Sequence, residues 1–286
     1  MSQKQQRKIL HLTDVHFDHC NYETIKQLAL ECVAKKPLAI VLTGDISNAN
    51  DISDHLRWFC SHLGKLCVYI VLGNHDFYSG SIRDVRETVT NLASKEQLAN
   101  LVYLFTCENP IRELTEDTAI VGADGFYDGG TIEDYSRRGV VEMNDYTLIR
   151  ELSVAYSKWR WHEEEYMFNI LQGLSKESAR HIEKHLRVAL LDSKYKKVVV
   201  ATHVAPWAKN SVYKGKVSDW QWLPCFHSRN MGDAIISVVK DFPEKEVIVL
   251  CGHSHGHAVY KPLPNITSYT GEAEYKYPRI SNIITI

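Results

Sequence analysis

Five short polar clusters, each placed directly behind an apolar run, carry residue types that bind metals or move protons. Asp14 and His16 stand in "LTDVH", Asp45 in "TGD", and Asn74, His75 and Asp76 in "GNHD". His203 follows in "THVAP", and His253 and His255 in "GHSHGH". Taken singly, several have an ordinary explanation, since an Asp closing a strand-end turn accounts for either of the first two. "GNHD" is sharper, because a turn uses Gly or Asn but has no need of His followed by Asp. In "GHSHGH" the spacing predicts two imidazoles on one side of a strand, able to share a metal centre. His257 continues that register and reads as a plain strand histidine. Two carboxylates, four imidazoles and one amide oxygen make a mixed nitrogen and oxygen donor set. Such a set suits Zn, Fe, Mn, Ni or Co better than Mg or Ca.

These clusters need elements that bring them together. The segments 8–14, 38–45, 66–76, 118–125, 197–206 and 246–257 read as strands. The first three and last two are almost continuously apolar, the pattern of strands buried on both faces. Between them 22–35, 51–63, 81–94, 143–172, 175–193 and 230–241 have helical composition, with "SKES" at 175–178 a helix-start signal. The alternation predicts an α/β chain. Ligands of open α/β sheets gather at the carboxyl ends of the strands, where all five clusters lie. With no internal repeat and no Gly/Ser/Pro-rich linker, residues 1–286 read as one domain with a helical insert around 126–172.

Composition narrows the function classes. A chain of 286 residues with 44% hydrophobic content can bury a large core. Its formal charge of −2 gives no global attraction to nucleic acid or to an anionic membrane. No apolar run approaches the roughly 20 residues of a membrane span. The polar start "MSQKQQRK" leads into the first strand without a signal-peptide core, so a soluble, cytoplasmic protein is expected. Seven cysteines without CxxC spacing read as reduced, packed thiols.

The ordered clusters resemble the five motifs of the calcineurin-like metallophosphoesterase superfamily, D-x-H, G-D, G-N-H-(D/E), H and G-H-x-H. They match as Asp14/His16, Gly44/Asp45, Gly73 to Asp76, His203 and Gly252 to His255. The resemblance implies a four-layer αββα sandwich of two mixed sheets flanked by helices. It also implies a site for two divalent transition-metal ions, Mn, Fe or Zn. One ion would be held by Asp14, His16, Asp45 and His255, the other by Asp45, Asn74, His203 and His253, with Asp45 bridging. Ions about 3.5 Å apart need a shared carboxylate and a bridging water or hydroxide, and that hydroxide would attack phosphorus in line. His75 would supply a proton or hydrogen bond to the leaving oxygen. Asp76 is assigned a supporting place behind the ligands.

One departure concerns Asn48, in "GDISN". Several family branches carry an Asp there that pairs with the motif histidine; an amide can orient His75 but cannot stabilise imidazolium as a carboxylate does. The Asp-Arg-Gly of Ser/Thr protein phosphatases is also missing, which argues against that branch. Substrate choice is expected from the segments between motifs. After His203, residues 204–229 hold Trp207, Tyr213, Trp220, Trp222 and Phe226 among Lys209, Lys214, Lys216 and Arg229, a composition able to stack a base and hold phosphates. Tyr127, Arg137 and Arg138 are offered by 126–139. The expected substrate is a small phosphoester, leaning to a phosphodiester or nucleotide. The alternatives are an Mre11-like nuclease, for which the chain lacks a DNA-capping domain and positive charge, and a non-catalytic metal-binding scaffold. A scaffold normally loses ligands, and here all seven are present.

Overall fold

The computed structural model describes residues 7–94, 97–131, 141–159 and 164–286. Two mixed sheets form its centre. The first has the order β13 (Asn282–Thr285), β1 (Lys8–Leu12), β2 (Ala39–Thr43), β3 (Cys67–Val71) and β4 (Leu101–Tyr103), parallel except for β13. The second runs β11 (Ala258–Tyr260), β12 (Ile266–Thr270), β10 (Glu246–Cys251), β7 (Lys197–Ala201), β6 (Thr118–Gly122) and β5 (Arg112–Thr115), with β11 and β5 antiparallel.

Side chains alternate across each strand, so a continuously apolar strand serves two interfaces at once. Leu10, Ile40, Leu42, Val68 and Ile70 pack outward on Ile25 and Leu28 of α1 (Tyr22–Ala34), Leu56 and Phe59 of α2 (Ile52–Ser61) and Val89 of α3 (Ile82–Leu92). Their neighbours Ile9, Val41, Tyr69 and Val71 face inward on Ile120, Val199, Ala201, Ile248 and Leu250 of the second sheet. On its far side, Val198, Val200, Val247 and Val249 meet two helices. These are α6 (Glu164–Leu191), through Ile182 and Leu186, and α8 (Arg229–Val239), through Ile235 and Val238. The result is the expected four-layer αββα sandwich. Burying each such side chain is worth about 1.5–3 kcal/mol, which anchors the strand ends that carry the chemistry. No described helix is long and apolar enough to cross a membrane, and no disulfide joins any of the seven cysteines.

The helical region between β6 and β7 differs from expectation. Instead of one helix over 143–172 and a second starting at "SKES", the described residues form α4 (Asp145–Leu148), α5 (Arg150–Trp159) and the 28-residue α6. Ser175 and Ser178 are buried mid-helix, not capping: the Ser175 hydroxyl pairs with Ser228 Oγ at 2.7 Å and Ser178 Oγ accepts from Gly125 N at 3.2 Å. Tertiary partners overrode the local signal. Residues 204–229 are not a bare loop either. They contain the hairpin β8 (Val212–Tyr213) and β9 (Lys216–Val217), then α7 (Leu223–Phe226).

Candidate metal centre

All five clusters emerge from the carboxyl ends of β1, β2, β3, β7 and β10, on one rim of the paired sheets. Asp14, His16, Asp45, His253 and His255 have φ between 41° and 72°. Left-handed backbone costs a non-glycine residue about 1–2 kcal/mol, so five such residues at one rim mark strain held by the sandwich beneath. This corrects the reading of "GHSHGH" as a strand whose histidines share one side. β10 ends at Cys251, and the turn that follows sends His253 and His255 to different donor groups.

The first group is Asp14, His16, Asp45 and His255, whose donor atoms lie within 4.8 Å of one another. His16 Nε2 and His255 Nε2 approach to 3.2 Å, and His255 Nε2 lies 3.4 Å from Asp14 Oδ1. Asp14 is fixed from behind by the His253 backbone N–H at 3.0 Å and the Thr13 hydroxyl at 2.6 Å. Burial lowers His16 to about 3, which keeps the ring neutral with a lone pair to offer.

The second group is Asp45, His203 and His253, so Asp45 belongs to both. Two backbone carbonyls set the tautomers, because a carbonyl only accepts. His203 Nδ1 donates to Thr43 O at 2.8 Å and turns Nε2 towards Asp45 Oδ1 at 3.3 Å and Asn74 Oδ1 at 3.1 Å. His253 Nε2 donates to Cys225 O at 2.9 Å, leaving Nδ1 as its lone-pair donor. Burial, then the neighbouring His203, lowers His253 to about 4. Burial alone would lower His203 as well, but the Asp45 carboxylate overrides it and raises the ring to about 10. The buried Asp45 carboxylate thus favours positive charge beside His203. Lone pairs converging from carboxylates, imidazoles and an amide oxygen fit a pair of divalent transition ions.

The residues around "GNHD" divide into three tasks. The His75 backbone N–H donates to Asp45 Oδ1 at 2.9 Å, while its half-buried ring lies 4.6 Å from His16 and 4.2 Å from Tyr78, centroid to centroid. Asp76 belongs to neither donor group. Its two oxygens accept from Ile46 N, Ser47 N and Gly73 N at 2.8–2.9 Å, tying the Asp45 loop to the Asn74 loop. The expectation that Asn48 orients His75 is not met. Asn48 Oδ1 accepts from Asn50 N and Asp51 N and its amide nitrogen donates to Asp51 Oδ2, so the side chain is spent on the turn that opens α2.

A sequence model of the calcineurin-like phosphoesterases matches residues 7–257. The chain belongs to this family. It is therefore a metal-dependent phosphoric ester hydrolase. Its fold is similar to that of a dimetal phosphatase from Danio rerio at TM-score 0.55 and 16% identity, covering 93% of this chain and 87% of that one. It is also similar to PhoD at TM-score 0.50 and 12% identity, covering 98% of this chain and 58% of that chain. Comparison with curated proteins at the sequence level found no match.

The substrate residues expected for this phosphoesterase fare unevenly. Tyr127 is fully buried, with its hydroxyl on Asp145 Oδ2 at 2.9 Å, and cannot stack a ligand. Trp207 packs on the second-sheet core and beside Gly232 of α8, which corrects its reading as a stacking platform. Arg137 and Arg138 lie outside the described residues. Lys214 sits at the β8–β9 turn with its ammonium 5.1 Å from the Tyr213 ring, Trp220 is 66% exposed, and Arg229 is exposed at the start of α8. His257 is exposed and joins neither donor group. The hairpin is fastened to the centre where Val212 N donates to Ser254 Oγ at 3.1 Å, between His253 and His255. Phe226 reaches furthest, stacking on His253 at 4.8 Å. Two residues had no sequence signal. Tyr275 lies over His16 at 4.4 Å and near His255 at 5.3 Å, and Asp145 is buried against Asn74.

Proposed function

We propose that this phosphoesterase hydrolyses a small phosphodiester or nucleotide at a two-ion centre, one ion held by Asp14, His16, Asp45 and His255 and the other by Asp45, Asn74, His203 and His253. The observation that carries the reading is the convergence of two donor groups on one shared carboxylate, Asp45. When bound, such ions polarise the phosphoryl oxygens and lower the pKa of a water between them. Mn, Fe and Zn all suit the donor set.

The chain's own residues do the rest. Thr43 O and Cys225 O hold two ligand imidazoles in their donor tautomers. Asp76 keeps the Asp45 and Asn74 loops in register, and His75 holds or protonates the leaving oxygen from its position beside His16. Tyr275 and Phe226 flank the two donor groups with aromatic faces, and the segment 204–229 that carries Phe226 also holds Lys214 at the hairpin turn and the exposed Trp220. That breadth suits a second ester arm beyond the reacting phosphate. It suits a small molecule better than a nucleic acid, for which the formal charge of −2 provides no long-range attraction.

Turnover of bis-p-nitrophenyl phosphate against p-nitrophenyl phosphate tests the reading. The diester should be favoured in kcat/KM by protein loaded with Mn2+. A clear monoester preference would refute the phosphodiester assignment, and cleavage of single-stranded DNA in preference to both would favour a nuclease.

A further inference from the structure

We infer that Asp145 is a positioning residue of the metal centre, fixing which face of the Asn74 amide the second ion meets. The inference rests on the two-ion reading above. Asp145 is fully buried at the start of α4, 71 residues beyond Asn74. Burying a carboxylate costs several kcal/mol unless it is hydrogen-bonded, and three donors converge on this one. Asn74 Nδ2 donates to Oδ1 at 3.0 Å, the Tyr78 hydroxyl to Oδ1 at 2.5 Å, and the Tyr127 hydroxyl to Oδ2 at 2.9 Å.

The consequence lies in the near-symmetry of an amide. Turned by half a circle, Asn74 would occupy the same space but aim its NH2 at His203 Nε2, presenting protons where a cation needs a lone pair. A carboxylate only accepts, so Asp145 draws the NH2, which also reaches the Tyr78 hydroxyl at 3.4 Å, and leaves Oδ1 facing His203 Nε2 at 3.1 Å. The same group steadies two rings of the centre: Tyr78 packs on His75 at 4.2 Å, and Tyr127 lies parallel to His253 at 6.0 Å. The segment is docked firmly enough to do this. Ser79 N donates to Leu148 O at 2.9 Å, and Arg150 N donates to Gly80 O at 3.0 Å, stapling α4 and α5 to the chain just past His75.

Mn2+ titration of the metal-stripped protein, with binding constants from calorimetry and the paired or isolated state from electron paramagnetic resonance, tests the role without turnover. Wild type should bind two Mn2+ ions with a spin-coupled signal. Asp145→Ala should weaken one ion by about 10- to 100-fold, the usual effect of losing a group that orients a ligand, and show an isolated six-line signal at one equivalent. Asp145→Asn, whose Oδ1 can still accept from Asn74, should recover most of the loss; Asp145→Ser, too short to reach Asn74 but still polar, should weaken the same ion and covers the case in which the alanine variant fails to fold. Tyr127→Phe, which leaves the contact with Asn74 intact, should keep both ions. Two ions at wild-type affinity in whichever of Asp145→Ala and Asp145→Ser folds, or equal weakening of the two sites, overturns the inference. Fewer than two ions in wild type would instead overturn the two-ion reading beneath it.

Discussion

Gly73 lies at the closest approach of the three loops, and replacing it should disable the site through a single methyl group. A Cβ built there would run into Asp45 Oδ1 and stand 2.5 Å from Asp45 N and 2.7 Å from His203 Nε2. Ordinary carbon contacts begin near 3.4 Å, so the Asp45 backbone must retreat by about 0.9 Å (3.4 less 2.5), its carboxylate by more, and His203 by about 0.7 Å (3.4 less 2.7). Neither can give freely, because Asp45 is buried between two donor groups and His203 is fixed to Thr43 O. Misplacing a reacting constellation by about 1 Å costs on the order of 10²-fold. Gly73→Ala should therefore lower kcat/KM for bis-p-nitrophenyl phosphate by about 100-fold, with circular dichroism confirming a folded chain. The control is Gly173→Ala in α6, where nothing lies within 4 Å of the added carbon. It should leave activity within about twofold and add about 0.5–1 kcal/mol of stability. Activity of Gly73→Ala within threefold of wild type, at unchanged metal content, would refute the crowding argument.

Three other perturbations probe separate links. His75→Ala should slow alkyl phosphodiesters by about 10² to 10⁴ and nitrophenyl esters much less, since an alkoxide needs a proton more than a nitrophenolate does; equal slowing would reduce His75 to a positioning group. Trp220→Ala and Lys214→Ala should raise KM for the natural substrate while leaving small chromogenic esters nearly unaffected, and equal losses on both would mean that the segment after His203 only packs. His11, fully buried in β1 between Thr43 and Asn282, is lowered to about 3 by burial. The unfolded ring titrates near 6.5, so the stability contributed by its neutral form is complete above that pH and is lost as pH falls towards 3, at about 1.4 kcal/mol per unit. Denaturant melts at pH 7 and pH 5 should differ by about 2 kcal/mol from this residue alone. His11→Gln should remove that share, and an unchanged difference would count against it.

The central strands were legible because burial on both faces writes an unbroken apolar run, as in "AIVLT" of β2. The edge strands were not. At the edge of the first sheet β4 is only three residues long, and inside the second sheet β12, "ITSYT", which the sequence also hid, alternates in burial and looks polar. The metal centre was legible for a related reason, since each donor follows its strand within a few residues. Asp145 and Tyr275 were invisible because their roles come from topology. Neither has a neighbour of telling type, and each reaches the centre only when distant segments dock. Tyr127 misled in the opposite direction: beside "DGG" it looks exposed, whereas the fold buries it as a donor to Asp145. In "GDISN", Asn48 sits where a family partner would, yet the turn into α2 claims its amide.

Metal content against turnover in wild type and Asp45→Asn tests the central claim most directly, because Asp45 is shared by both donor groups. Elemental analysis of purified wild type should find close to two transition-metal ions per chain, and turnover of bis-p-nitrophenyl phosphate should vanish on chelation and return with Mn2+. Asp45→Asn should lose affinity for both ions together and turnover with them. Undiminished turnover by thoroughly metal-stripped wild type, or an Asp45→Asn variant that keeps two ions and full activity, would contradict the account.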